Sequence, residues 1–295
     1  MSKCIIREMI KWIVIVLCIS HAAMSAELRL LSTYSWTSEN PAFGGFSSLY
    51  VSEKGSQFLT TSDRGYFLSG RIKRQDGKIV GVEQQELLGI RDTKGEPIKG
   101  FHVDSEGLAI GTDGRIYVSF EGKHRVWAYS NKLSEAAWLP EHPDFKTMQN
   151  NSSLEALAID RRGWLYTIPE RSGVIDRPFP VYRFTGTVWD KKFKVPRRAP
   201  FLVAGADFGP DNKLYLLERD FKFPTGFATR IRRFTLTDTG FKNEETLIET
   251  TLGFHDNLEG ISVWRDAQNR IRITLISDDN FKFFQRTELV EYVID

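Results

Sequence analysis

A unit of two short apolar strands joined by a turn recurs five times along the chain. The two most regular copies read SEGLAIGTDGRIYVSFEG (Ser105–Gly122) and SLEALAIDRRGWLYTIPE (Ser153–Glu170). The others read GGFSSLYVSEKGSQFLTTSDRG (Gly44–Gly65), GADFGPDNKLYLLERD (Gly205–Asp220) and NLEGISVWRDAQNRIRITLISDDN (Asn257–Asn280). The matching opening positions are Gly45, Glu106, Glu155, Asp207 and Glu259, which by subtraction lie 61, 49, 52 and 52 residues apart. A period near 50 residues built from short strands points to a β-propeller with one blade per copy. In such a ring, residues at the same place in each blade meet at the same place around the central channel. Here four of the five are acidic.

Within one copy the strands can be read directly. Leu108, Ala109 and Ile110 form a compact apolar strand, and Thr112-Asp113-Gly114 is a hairpin turn signal. Arg115 to Phe120 alternates polar and apolar, as a half-buried strand does, and Val126 to Tyr129 supplies a third strand. A weaker fourth falls between Asn131 and Leu139, giving four strands per blade. The last copy has only three clear strands, ending at Glu288–Ile294, while Leu28–Trp36 is strand-like and has no blade of its own. The expectation is a single all-β propeller domain over residues 27–295, closed by that N-terminal strand, which removes the open edges of the array. Five copies give five blades, and the long first interval leaves room for a sixth. Loops at 139–153, 173–180 and 221–227 are too long for hairpin turns and are expected to cover one mouth of the channel.

Residues 1–26 read as a signal peptide. Lys3, Arg7 and Lys11 form a basic flank, Trp12–Ser20 is an apolar run too short for a membrane span of roughly 20 residues, and small residues up to Ala26 suit cleavage. A periplasmic or secreted bacterial protein, free of the membrane once cleaved, is the expectation. Both cysteines, Cys4 and Cys18, fall in this segment, so the remainder has no thiol for a disulfide, a zinc site or a nucleophile. Removing 1–26 takes Lys plus Arg from 40 to 37 and Asp plus Glu from 38 to 37, so the net charge goes from +2 to 0. That balance argues against nucleic acid as a partner. A small-molecule ligand and a monomer are expected.

The stretches GGFSSLYV, FLTTSDRG, DSEGLAI, GRIYVSFEG, SLEALAID, YLLERDF and NLEGISVW resemble, in order and spacing, the phytase-like family of exported proteins, labelled for an esterase-like activity of phytase. The resemblance covers roughly residues 40–295. It implies a propeller related in form to the calcium-dependent β-propeller phytases. The chain departs from the usual pattern at SFEG, where many relatives carry an aspartate-glutamate pair followed by tyrosine. Here Phe120 precedes Glu121 and Gly122 follows, which weakens any metal site that uses the aspartate.

Two groups of residues are suited to chemistry. The first is the strand-opening acids Glu106, Glu155, Asp207 and Glu259. Carboxylates gathered within a few ångströms repel one another unless protonated or bridged by a cation. Calcium, which takes six to eight hard oxygens in irregular geometry, suits such a set. The same acids also suit a purely structural task, accepting backbone N–H bonds from the next blade. The second group closes the second strand of each copy: Asp63-Arg64, Glu121, Glu170-Arg171, Glu218-Arg219-Asp220 and Asp278-Asp279-Asn280. Arg64, Arg171 and Arg219 each follow an acid, and guanidinium forks match the oxygens of an anionic ester. The combined expectation is calcium-assisted hydrolysis of a phosphoester or ester, with the four acids as catalytic and metal-holding groups and the three arginines binding substrate. Two rivals stand beside it: a non-catalytic periplasmic binding propeller, and a sugar-lactone hydrolase. The histidines show no metal-ligand spacing, and no Ser-His-Asp triad, phosphate loop or dinucleotide fingerprint is present in the sequence.

Overall fold

The computed structural model describes residues 28–149 and 153–295. The signal-peptide expectation therefore lies outside the described residues. Twenty-one strands form five sheets, each with a four-stranded antiparallel path. From the channel outward the first blade runs Tyr50–Val51, Gln57–Ser62, Tyr66–Gln75 and Lys78–Gln84. The second runs Ser105–Ile110, Ile116–Phe120, Arg125–Tyr129 and Ala137–Trp138. The third is Ala156–Ile159, Leu165–Ile168, Phe179–Phe184 and Trp189–Val195. The fourth is Leu202–Phe208, Lys213–Lys222, Gly226–Thr237 and Gly240–Glu249. The fifth takes Leu258–Arg265, Ile271–Ser277 and Glu288–Ile294 from the C-terminal end. Its fourth strand is Leu28–Ser35, paired antiparallel from Leu28 opposite Ile294 to Ser35 opposite Glu288.

There are five blades. The long first interval is filled by an extra strand, Leu88–Gly89, paired to the first blade, and by a single 3-10 turn at Gly100–His102. Among the described residues no helix is long and apolar enough to cross a membrane.

The turns explain why the copies fold alike. Asp113, Asp160, Asp211 and Asp266 each accept a backbone N–H two residues on, from Arg115, Arg162, Lys213 and Gln268. This local bond bends the chain between the first and second strands. The turn then needs one left-handed residue, supplied by Gly114, Gly163, Asn212 and Asn269.

The core lies between the blades. Five apolar clusters are buried, and each is shared by two adjacent blades. Tyr166, Phe179 and Phe193 of the third meet Leu216 and Phe234 of the fourth. Trp264 and Ile276 of the fifth meet Phe46 and Phe58 of the first. A ring with five such seams has no free blade face, so removing one large aromatic such as Phe46, fully buried, costs about 3–5 kcal/mol.

At the channel the innermost strands nearly touch. A Cβ on Gly205 would sit 2.5 Å from the Glu259 carbonyl oxygen, and one on Gly260 2.6 Å from the Ser48 carbonyl carbon. Only glycine permits that approach, and it fixes the residues just before it at the channel mouth.

Candidate functional site

The innermost strands carry a bulge at one common level. Pairing shifts register between Ser105 and Leu108, between Val203 and Gly205, and between Leu258 and Gly260. The extra residue at a bulge re-aims its side chain. In the second and fifth blades that residue is Glu106 or Glu259, and Glu155 lies just before the inner strand of the third. In the fourth blade the same level is Ala204, not Asp207. Asp207 sits three residues farther along and accepts the backbone N–H of Val263 at 2.7 Å, tying the fourth blade to the fifth. Burial pushes its pKa up to about 7, against the N–H bonds from Val263 and Phe208, and no other acid contributes. The structure therefore brings Glu106, Glu155 and Glu259 to the channel mouth and leaves Asp207 apart. Gly45, the opening residue of the first copy, is wedged between Asp63 and Asp279 and donates its N–H to Asp279 Oδ1 at 3.0 Å.

Second-strand ends add acids to the mouth, and the assembled group falls into two sets. In the first, carboxylate oxygens of Asp104, Glu106 and Glu121 lie within 4.8 Å of one another. Among the described residues no Lys or Arg is ion-paired to any of the three. The pKa of Glu106 is raised, first by burial and then by Glu155, Asp104 and Glu121. Burial also pushes Glu121 up to about 7; the Ser153 N–H, bonded at 2.8 Å, opposes this, and Asp104 and Glu170 add to it. Asp63 is pushed up to about 7 by burial, then by Asp278 and Asp104. Asp278 is raised to about 6, again mainly by burial.

The second set is organised around Arg219. Its Nη2 donates to Glu155 Oε1 at 3.3 Å and to Glu170 Oε1 at 3.5 Å, and its Nη1 donates to Asn257 Oδ1 at 2.8 Å and is ion-paired with Glu259. Asn257 Nδ2 donates in turn to Glu259 Oε1 at 2.8 Å. Glu155 is raised by burial despite Arg219, with Glu170 and Glu121 adding to the rise, so it couples the two sets. Of the other two arginines, Arg171 pairs with Glu170 at 3.0 Å and lines the cavity that opens above Arg219, and Arg64 lies apart. Arg64 is exposed and stacks over Phe281, 3.1 Å from the ring centroid, beside Asp63.

Strand alternation explains why neighbours diverge. Glu218, one residue before Arg219, faces the opposite way and is buried between Arg230 and Arg232 at 2.8 and 2.5 Å. Ser153 is held by two neighbours: its N–H bonds Glu121, and its hydroxyl donates to His124 Nδ1 at 2.6 Å. That direction follows because His124 Nε2 faces the Met148 carbonyl, at 3.2 Å, and so carries the proton. His255 pairs with the Tyr292 hydroxyl at 2.6 Å, and burial pushes its pKa down to about 4. Asp104 and Asn257 were not singled out from the sequence, although each stands within two residues of a strand-opening glutamate.

Above the Arg219 set opens a cavity of about 960 Å³, with Glu170, Arg219, Asn257 and Glu259 in its floor and Phe221, Phe223 and Phe284 in its wall. The whole arrangement is a half-neutralised carboxylate ring under an open mouth. Its oxygens are hard donors, and the unpaired set fits a hard divalent cation in ligand chemistry.

The family described as "Phytase-like: Esterase-like activity of phytase" matches residues 41–281. The chain belongs to this family. No curated protein is significantly similar in sequence. Among solved structures, the fold is similar to the α-L-arabinofuranosidase of Podospora anserina in complex with cellotriose (TM-score 0.54, 8% identity, 91% of this chain and 97% of that one covered). It is also similar to the PQQ-bound aldose sugar dehydrogenase of Streptomyces coelicolor (TM-score 0.51, 12% identity, 91% and 99% covered). At these identities the likeness concerns the fold alone.

Proposed function

We propose that this phytase-like propeller is a metal-assisted hydrolase of a small anionic ester, acting outside the cytoplasm as a monomer. The observation that carries the reading is the contrast within one ring. Arg219 neutralises Glu155, Glu170 and Glu259, whereas Asp104, Glu106 and Glu121 converge with no ion-paired Lys or Arg among the described residues, Arg219 reaching only Glu121 through its field. Buried like charges at that separation demand protons or a cation. Asp104, Glu106 and Glu121 would hold calcium, with Asp63 and Asp278 adding negative potential. Calcium bound there supplies charge neutralisation and polarisation of an ester or phosphoryl oxygen.

The chain's own groups complete the chemistry. Arg219 and Asn257 orient the ester: with the Arg219 Nη groups engaged by Glu155, Glu170, Asn257 and Glu259, the donors left at the cavity floor are the Arg219 Nε–H and the second Asn257 Nδ2–H. Glu155 is the proton carrier. Its Oε1 is engaged by Arg219, and its Oε2 takes a proton from the attacking water as that oxygen bonds the ester carbon or phosphorus, then returns it to the leaving oxygen as its bond breaks. The test is hydrolysis of phosphomonoester, carboxylic ester and lactone panels with calcium and with chelator. Calcium-dependent turnover lost in Glu106→Gln and Glu155→Gln is expected. Absence of turnover on all three panels with calcium present would favour a binding propeller, and activity confined to lactones would favour the lactonase reading.

A further inference from the structure

We infer that the mouth cavity takes an ester with an apolar body, an aryl or acyl group, in preference to a polyol phosphate. Three loops build its rim: the turn between Lys213–Lys222 and Gly226–Thr237, the segment 250–257, and the segment 278–287. Each places phenylalanine in water. Phe223 is 88% exposed, Phe283 100% and Phe284 66%, with Phe221 and Phe254 each 55%. Single exposed apolar residues need no explanation, but a cluster around one concave site does. Phe221, Phe223 and Phe284 all line the same cavity of about 960 Å³, a volume suited to a small ligand.

The wall and floor differ in chemistry. The floor presents Arg219 and Asn257 beside Glu170 and Glu259, and the rim carries Phe221, Phe223 and Phe284 together with Arg171, Lys282 and Arg286. A ligand matching both has a polar head directed to the floor and a flat or flexible apolar body against the rim. A sugar or inositol phosphate would satisfy the floor and leave the phenylalanine rings in water. This inference rests on the hydrolase reading only for the orientation of the ester bond; binding to the cavity stands separately.

Binding is therefore measured without turnover. The probes are 1-naphthylphosphonate, which has no ester to cleave, and methylphosphonate, the same head without the ring. Calorimetric titration in calcium should show the naphthyl compound binding about tenfold tighter or better, roughly what one aromatic contact supplies. In the double variant Phe223→Ser, Phe284→Ser that preference should vanish, while methylphosphonate affinity and melting temperature stay unchanged. Both positions are exposed, so the variant keeps the core intact. Equal binding of the two probes by the wild type overturns the inference, as does a preference that survives in the double variant. So does co-sedimentation with phosphatidylglycerol vesicles, lost in the double variant, in the absence of any naphthyl preference; the rim would then be a membrane contact. A naphthyl preference without hydrolysis of any ester supports the pocket and defeats only the hydrolase reading.

Discussion

The two sides of the carboxylate ring solve one electrostatic problem in different ways. On the side of the third to fifth blades, Glu155, Glu170 and Glu259 share the guanidinium of Arg219. On the side of the first and second blades, burial raises Asp63, Asp104, Glu106 and Glu121; neighbouring carboxylates add to the rise of Asp63, Glu106 and Glu121, while a hydrogen bond with Glu106 opposes it at Asp104. The difference arises in the fourth blade. Its bulge level carries Ala204 instead of an acid, and its second strand is long, Lys213–Lys222, so that Arg219 reaches across the mouth. One blade gives up an acid and contributes the cation. The other side is left without an ion-paired Lys or Arg among the described residues.

The largest expected effect comes from removing the cation. Arg219→Met leaves Glu155 and Glu259 without a cation and Glu170 with Arg171 alone, and should cost about 3–5 kcal/mol in chemical denaturation. Arg64→Met, at an exposed residue stacked on Phe281, should cost under about 1 kcal/mol. An Arg219→Met loss as small as that for Arg64 would mean the three glutamates are already protonated, and the contrast between the two sides would collapse.

Calcium should then act on the other side. A ligand that binds only the native state at a hundredfold excess over its dissociation constant stabilises by about 2.7 kcal/mol. Melts with calcium and with chelator should differ accordingly in the wild type. The double variant Glu106→Gln, Glu121→Gln should abolish the difference, and Glu259→Gln, on the Arg219 side, should retain it. Loss of the calcium effect in Glu259→Gln alone would move the site to the wrong side of the ring.

Much of this was legible in the sequence, for a physical reason. The turn aspartates and the left-handed Gly or Asn recur in the first hairpin of each blade from the second to the fifth, so strand count, blade count and closure by Leu28–Trp36 followed from local chemistry. Glu106, Glu155 and Glu259 were legible because each is followed at once by the same short apolar strand, GLAI, ALAI and GISV. Asp207 was aligned with them because the fourth copy carries an acid near the expected spacing, and a bulge shift of this kind is invisible in a string of letters. The role of Arg219 was half legible. Its place after an acid was clear, but its insertion among three glutamates depends on hairpin length and strand alternation. The aromatic rim read only as loop sequence, since Phe223, Phe283 and Phe284 gain meaning from three loops converging on one mouth.

A pH titration in chelator sharpens the comparison with a smaller effect. Asp63 and Glu121 are pushed up to about 7 and Asp278 to about 6. A carboxyl raised in the folded state binds its proton more tightly there than in the unfolded chain. Stability should therefore fall as pH rises from about 4 to about 7, and Asp63→Asn should flatten part of the fall. His255 works oppositely: held down to about 4 in the folded state, it removes stability as pH drops below its ordinary value of about 6.5. Asp63, Glu121, Asp278 and Asp207 against one imidazole make the fall with rising pH the net trend, and His255→Asn should steepen it. A rise in stability over that window in chelator would contradict the raised carboxyls.

The smallest expected effect is at Asp207, and it separates seam from site. Its carboxylate accepts the N–H of Val263 across the seam between the fourth and fifth blades, and no acid of the ring contributes to its raised pKa. Asn keeps an oxygen acceptor at the same place, so Asp207→Asn should change stability by less than about 1 kcal/mol at neutral pH. Above pH 7 it should be neutral or slightly stabilising, because the cost of ionising the buried carboxyl is gone. Asp207→Ala leaves the Val263 N–H without its partner and should cost about 1–3 kcal/mol. Neither variant should alter the calcium effect. If Asp207→Asn reduced calcium stabilisation as far as the Glu106, Glu121 double variant does, Asp207 would belong to the metal-holding set, and the division of the ring by Ala204 and Arg219 would have to be redrawn.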